Sequence, residues 1–186
     1  MKLTLPTVLT LFRIVLIPVF VIVFYLPMTW AHAAAAIIYA VASITDWFDG
    51  YLARVLNQES AFGAFLDPVA DKLMVVVAIV LLVEANPSPW LAIPSLIIIS
   101  REITVSALRE WMAELGSRTT VKVSFVGKAK TTAQMFSLFL MIYHQQLWGI
   151  PMFELGLAFY YLSALLTLYS MLIYLKAAWP VMRSNG

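Results

Sequence analysis

Six long apolar stretches run along the chain, near 8–27, 33–54, 66–85, 90–111, 129–147 and 154–177, separated by short segments rich in Pro, Gly and charge. Each approaches the roughly 20 residues that an α-helix needs to cross a hydrocarbon layer about 30 Å thick. The pattern therefore predicts an all-α, polytopic membrane protein of six transmembrane helices. For the third stretch two starts are open: Pro68 suits the first helical position after an Asp67 cap, or the helix begins earlier and Gly63 joins its face. Composition agrees with membrane residence, since 62% of the 186 residues are hydrophobic and only 12% charged, with a mean hydropathy of +0.90. Six spans leave little chain for anything else, so one membrane domain over 1–186 is expected. The first apolar run is too long for a secretory signal and carries Arg13, which points to an uncleaved first span. With no cysteine, disulfides, thiolate metal sites and a cysteine nucleophile are excluded.

Charge adds orientation. The alternate loops at Pro27–His32, Glu84–Trp90 and Gln145–Glu154 contain no Lys or Arg, so all twelve basic residues lie in or toward the other side. By the positive-inside bias, both termini are expected in the cytoplasm. Trp30, Trp90 and Trp148 then mark the outer interface, and Trp47, Trp111 and Trp179 the inner one. The net charge of +2 is too small to imply nucleic acid. His32 and His144 fall near outer loops and read as interface residues. Small residues at Ala33–Ala36 and Gly156 suit either helix packing or a homodimer seam, and a homodimer is expected.

Within this apolar chain the carboxylates are out of place. Asp46 and Asp49 end the second stretch inside the cytoplasmic leaflet, while Asp67, Asp71 and Lys72 open the third. Ionisable groups at membrane depth cost several kcal/mol, roughly, unless paired, hydrated or metal-bound. At about 100° per residue, Asp46, Asp49, Gly50, Ala53 and Arg54 share one arc of roughly 140°, and Asp67 and Asp71 are (i, i+4) neighbours. Two helices joined by a short loop bring these faces together. Four carboxylates so placed repel one another unless a cation neutralises them. Oxygen ligands without His or Cys select Mg²⁺, Mn²⁺ or Ca²⁺ over Zn²⁺, and two divalent ions would balance four charges and clamp a pyrophosphate. Gly50 and Ala53 leave room for a nucleotide to approach the backbone, and Arg54 offers a fork for phosphate. The plainer alternative pairs these aspartates with Arg54 and Lys72 alone, which does not balance the charge.

Written out, Asp46-x2-Asp49-Gly50-x2-Ala53-Arg54-x8-Gly63-x3-Asp67-x3-Asp71 resembles the full signature of the CDP-alcohol phosphotransferase family. The segments PTVLTLFR (6–13), TDWFDGYLAR (45–54), FGAFLDPVADK (62–72), SREITVSALREWMAELG (100–116) and GKAKTTAQM (127–135) are similar to the bacterial members that use a glycerol phosphate acceptor. The resemblance implies that CDP-diacylglycerol and sn-glycerol 3-phosphate react to give phosphatidylglycerophosphate and CMP at the inner face of a bacterial cytoplasmic membrane. It also implies that Asp46, Asp49, Asp67 and Asp71 hold Mg²⁺ or Mn²⁺, with Asp71 the general base. Gly50, Ala53, Arg54 and Gly63 match positions that hold the CDP moiety. Thr10 and Arg13 lie where the family flanks the nucleotide, although Arg13 could equally snorkel to the interface.

A second basic region lies between the fourth and fifth stretches, where Arg101, Arg109, Arg118, Lys122, Lys128 and Lys130 face only Glu102, Glu110 and Glu114. Arg118 and Lys122 suit contact with anionic head groups. Arg101, well inside its span, needs an anion, and a phosphomonoester acceptor supplies one where choline or ethanolamine would not. Arg101, Arg109, Lys128 and Lys130 are therefore candidate ligands for the acceptor phosphate. A simpler pairing of Arg101 with Glu102 or a motif aspartate is the alternative. Three rivals remain: a family member using inositol phosphate or phosphatidylglycerol as acceptor, a prenyl-transfer enzyme, and a divalent-cation transporter. The apolar run over 73–83 closes a transport path toward the outer leaflet.

Overall fold

The computed structural model describes residues 4–55, 61–115 and 125–185, and within the helices not every side chain. Six helices form: α1 (Leu5–Phe24), α2 (Ala31–Val55), α3 (Ala61–Ala85), α4 (Pro89–Glu114), α5 (Phe125–Tyr143) and α6 (Met152–Asn185). A two-stranded antiparallel ribbon of β1 (Gln146–Leu147) and β2 (Ile150–Pro151) joins the last two. Helix α1 ends earlier than the apolar pattern suggests, because Pro27 disfavours helical backbone at Leu26. Helix α3 starts at Ala61, so Gly63 lies inside the helix, and Pro68 is an interior residue rather than the first after a cap.

Prolines are also tolerated inside α1, α4 and α6, at Pro18, Pro94 and Pro180. Pro94 shows how. Lacking an N–H, it frees the Trp90 carbonyl four residues back, and the Tyr161 hydroxyl donates to that oxygen at 2.6 Å. Such side-chain replacement is what a membrane interior demands of a broken helical ladder. The start of α4 is equally explicit: Pro89 occupies the first turn, and the Ser88 cap accepts from the Trp90 N–H at 3.3 Å.

Among the described residues, three helices contain stretches long and apolar enough to span a bilayer, at Thr7–Phe24, Pro89–Glu114 and Met152–Pro180, and Ala31–Asp46 is a shorter apolar helix. The apolar side chains these helices expose, including Val15, Ile22, Leu96, Leu165 and Leu172, suit a protein whose solvent is lipid. The chain forms two compact units. The first is Met1–Ala85 with Leu138–Gly156, and the second is Asn86–Ser137 with Leu157–Gly186.

In the first unit α1 packs against both α2 and α3. Phe20, Phe24, Ala35, Ala36, Tyr39, Ala78 and Ile79 are buried there, and the Phe20 ring stands 6.1 Å from Phe24 and 6.3 Å from Tyr39. Ala35, Ala36 and Gly156 are covered within the chain itself, so these small residues serve internal packing. In the second unit Val105, Leu108, Met112, Tyr174 and Ala178 form a cluster flanked by Leu115, Met171 and Leu175.

Candidate functional site

Helix α1 carries a polar residue at every third position, Thr4, Thr7, Thr10 and Arg13, on an otherwise apolar helix. Within the helix, Thr7, Thr10 and Arg13 span an arc of about 120°, and Thr4 is its N-cap. Thr4 and Thr7 share a hydroxyl hydrogen bond of 2.9 Å. Deeper along α1, the Thr10 hydroxyl donates to Oδ1 of Asp67 on α3, and Arg13 Nη1 donates to Oδ1 of Asp46 on α2 at 2.5 Å. Thr10 and Arg13 are fully buried, so Arg13 does not snorkel to an interface. Its guanidinium turns inward and supplies one fixed positive charge to the carboxylates, a contribution the motif spacing alone does not reveal.

Asp46, Asp67 and Asp71 are half-buried and Gly63 is buried. Asp67 and Asp71 stand one helical turn apart, as their spacing requires. The side chains of Asp49, Gly50, Ala53 and Arg54 lie outside the described residues, as does that of Lys128; Arg118 and Lys122 lie outside them altogether. Among the described residues, no three His, Cys, Asp or Glu side chains come together as a metal cage. The donor set nonetheless fits a hard divalent cation, being carboxylate oxygens on two neighbouring helices without competing imidazole or thiolate. Asp46 and Asp67 each engage α1 through one oxygen, and a carboxylate has two.

The second unit assembles a cation cluster. Arg101, 6% exposed on α4, donates through Nη1 to Glu102 at 3.3 Å and through Nη2 to the Ser170 hydroxyl on α6 at 3.1 Å. Lys130 on α5, 2% exposed, donates to the same Glu102 oxygen. One carboxylate thus serves two buried cations. Arg109 donates to the Tyr174 hydroxyl at 2.9 Å, and the Tyr174 ring lies under both guanidinium groups, 5.4 Å from Arg101 and 5.2 Å from Arg109. Buried Nε of Arg101 and Oε1 of Gln134 have no hydrogen-bond partner among the described residues. Polar groups left so at depth are costly, and an incoming anion with several acceptor oxygens would engage the free guanidinium N–H.

The pairing of Arg101 with Glu102 is real, and Glu102 is shared with Lys130. Ser170 and Tyr174 are partners of these cations that the sequence pattern alone did not single out. Their signal was available: Ser163, Thr167, Ser170 and Tyr174 recur at spacings of four, three and four along α6, and all are buried.

His32 and His144 stack at 5.5 Å between ring centroids. His32 opens α2, fourteen residues before Asp46, or about 21 Å at 1.5 Å per residue.

A model of the CDP-alcohol phosphatidyltransferase family matches residues 3–178. Enzymes named CDP-diacylglycerol–glycerol-3-phosphate 3-phosphatidyltransferase from Shigella flexneri serotype 5b (strain 8401), Shigella boydii serotype 4 (strain Sb227) and Escherichia coli (strain K12) are each 55% identical over 178 residues, covering 96% of this chain and 96% of the relative. The carboxylates of α2 and α3, braced from α1, thus sit in a chain that is similar to these transferases along almost its whole length, and it belongs to the CDP-alcohol phosphatidyltransferase family.

Proposed function

We propose that this protein transfers the phosphatidyl group of CDP-diacylglycerol to sn-glycerol 3-phosphate, giving phosphatidylglycerophosphate and CMP. The observation that carries the reading is the bracing of one carboxylate on each of two neighbouring helices, Asp46 by Arg13 and Asp67 by Thr10. That arrangement holds acidic oxygens of two neighbouring helices in place, where a divalent cation would relieve their mutual repulsion. Asp46, Asp49, Asp67 and Asp71 would hold two Mg²⁺ or Mn²⁺ ions, which when bound neutralise the pyrophosphate of the activated lipid. Gly50, Ala53, Arg54 and Gly63 accommodate the CDP moiety.

The rest of the chemistry belongs to the chain. Asp71 takes the proton of the acceptor's 1-hydroxyl as that oxygen attacks the β-phosphorus, and the bond to the bridging oxygen breaks to release CMP. A modest base suffices, because the hydroxyl becomes acidic as attack proceeds, and positioning with charge stabilisation supplies most of the rate. Arg101, Arg109, Lys128 and Lys130 bind the acceptor phosphate. The gathering of Arg101 and Lys130 on Glu102, with Arg109 beside them over the Tyr174 ring, supports this role.

The chain lies in the bacterial inner membrane with six spans, both termini and the carboxylates on the cytoplasmic side, as the distribution of basic residues supports. A homodimer belongs to the same proposal, tested by cross-linking through single cysteines placed in a chain that has none.

The decisive experiment offers purified protein CDP-diacylglycerol with a panel of acceptors and scores CMP. Glycerol 3-phosphate should be used in strong preference to inositol phosphate, serine or phosphatidylglycerol, and chelation of divalent cations should stop turnover. CMP release with another acceptor alone overturns the substrate assignment, and pyrophosphate release overturns the reaction class.

A further inference from the structure

The end of the first unit remote from the carboxylates carries a feature that the transfer reaction does not use. Between α5 and α6, β1 and β2 pair Gln146 with Pro151 and Leu147 with Ile150, and Trp148 and Gly149 make the two-residue turn, with φ of +52° and +79°. Two positive φ values are what a type I′ turn requires, and Asn-Gly or Gly-Gly ordinarily supplies them. Gly149 fits at no cost. Trp148 does not: a bulky side chain in the left-handed region is a strained outlier. The strain secures no internal packing, because Trp148 is 93% exposed. A side chain held in a costly conformation in order to point away from the protein has its use outside the protein.

What surrounds it names the environment. Leu147 and Ile150 are exposed beside it, and no Asp, Glu, Lys or Arg occurs from His144 to Met152. The Gln145 side-chain amide donates to the Thr29 carbonyl at 2.8 Å, tying the ribbon to the α1–α2 connection, where Tyr25, Met28 and Trp30 are likewise exposed. These two segments form one rim. The rim begins immediately after the apolar stretch Thr7–Phe24 ends, and its ribbon stops immediately before the stretch Met152–Pro180 begins. Chain continuity therefore holds it at the boundary of the hydrocarbon layer, where amphipathic aromatic rings are most favourable.

We propose that the Trp148 ribbon is an interfacial anchor, which seats Trp148, Leu147 and Ile150 among the head groups and upper acyl chains of the bilayer that surrounds the protein. Because α2 runs directly from this rim to Asp46, the anchor sets the depth of the carboxylates relative to the lipid whose pyrophosphate they meet.

The test compares Trp emission of the wild-type protein and a Trp148→Phe variant in phosphatidylethanolamine–phosphatidylglycerol vesicles, so that the difference spectrum isolates Trp148. That spectrum should be blue-shifted, quenched strongly by lipids brominated high on the acyl chain, less by lipids brominated deep, and little by aqueous acrylamide. Quenching by acrylamide alone would place the ribbon in water. Protection from every quencher would mean that protein, a second copy or a partner, covers it. Either result overturns the proposal. If the Phe variant does not fold, a single nitroxide on Trp148→Cys reads the same contrast, through collision with oxygen against a water-soluble nickel chelate; dominance of the nickel collisions would overturn it equally.

Discussion

The carboxylate region of the first unit and the cation cluster of the second handle buried charge in opposite ways. In the first, α1 braces one carboxylate on each of α2 and α3, Asp46 with a charge and Asp67 with a hydroxyl. In the second, buried Arg101 and Lys130 share the single carboxylate of Glu102, while Arg109 leans on a phenol. The first arrangement is braced by the protein before any ligand arrives. The second gathers its cations around Glu102, Ser170 and Tyr174. Braced acidic oxygens suit a site for chemistry, and clustered guanidinium and ammonium groups suit recognition of an anion.

Substitutions separate the two roles. The largest effect is expected at Asp71: Asp71→Asn should lower kcat by about 100-fold or more with fold and substrate binding retained, and wild-type turnover would remove Asp71 as the base. Next is Arg13→Met, which leaves the Asp46 charge without its buried partner. Because Asp46 is about a third exposed, breaking the pair costs about 1–2 kcal/mol, visible as a lower Tm in detergent together with a raised divalent-cation requirement, and Arg13→Lys should recover part of both. An unchanged Tm would show that the brace at Asp46 carries little.

The cation cluster should respond in KM rather than in stability. Arg101→Ala is expected to raise the KM for glycerol 3-phosphate by about tenfold or more, the worth of a charge-assisted hydrogen bond, with the KM for the lipid nearly unchanged. Equal effects on both substrates would dissolve the contrast between the regions. Tyr174→Phe should be the mildest, a rise of about threefold in the same KM, because it removes the oxygen that accepts from Arg109 but keeps the ring beneath both guanidinium groups. A larger effect on kcat than on KM would move Tyr174 out of substrate recognition.

The helices were legible in the sequence because membrane spans are written as uninterrupted apolar runs. Their ends were less so. Helix α1 stops short where Pro27 follows, α3 reaches back to Ala61, and the α5–α6 connection folds into a ribbon that a turn sequence of Trp-Gly gives little reason to expect. The aspartates were conspicuous because their chemistry conflicts with their solvent. What could not be seen was which side chain answers each charge. Arg13 lies 33 residues from Asp46 and Ser170 lies 69 from Arg101, and periodicity within a helix identifies a face without naming the helix that packs on it. The polar stripes of α1 and α6 were visible as patterns, but only the packing shows that they point at Asp46, Asp67 and Arg101.

The alternation of the two units along the chain has a consequence for biogenesis. Helices emerge from the ribosome in order, and the Thr10 and Arg13 braces of Asp67 and Asp46 have been made before α4 begins. The cation cluster has to wait for α6 to deliver Ser170 and Tyr174, and the first unit itself is closed only when the ribbon and the start of α6 arrive. The half that carries the aspartates is therefore made first, with Arg13 already available to temper their charge, and the half that carries the cation cluster is completed last.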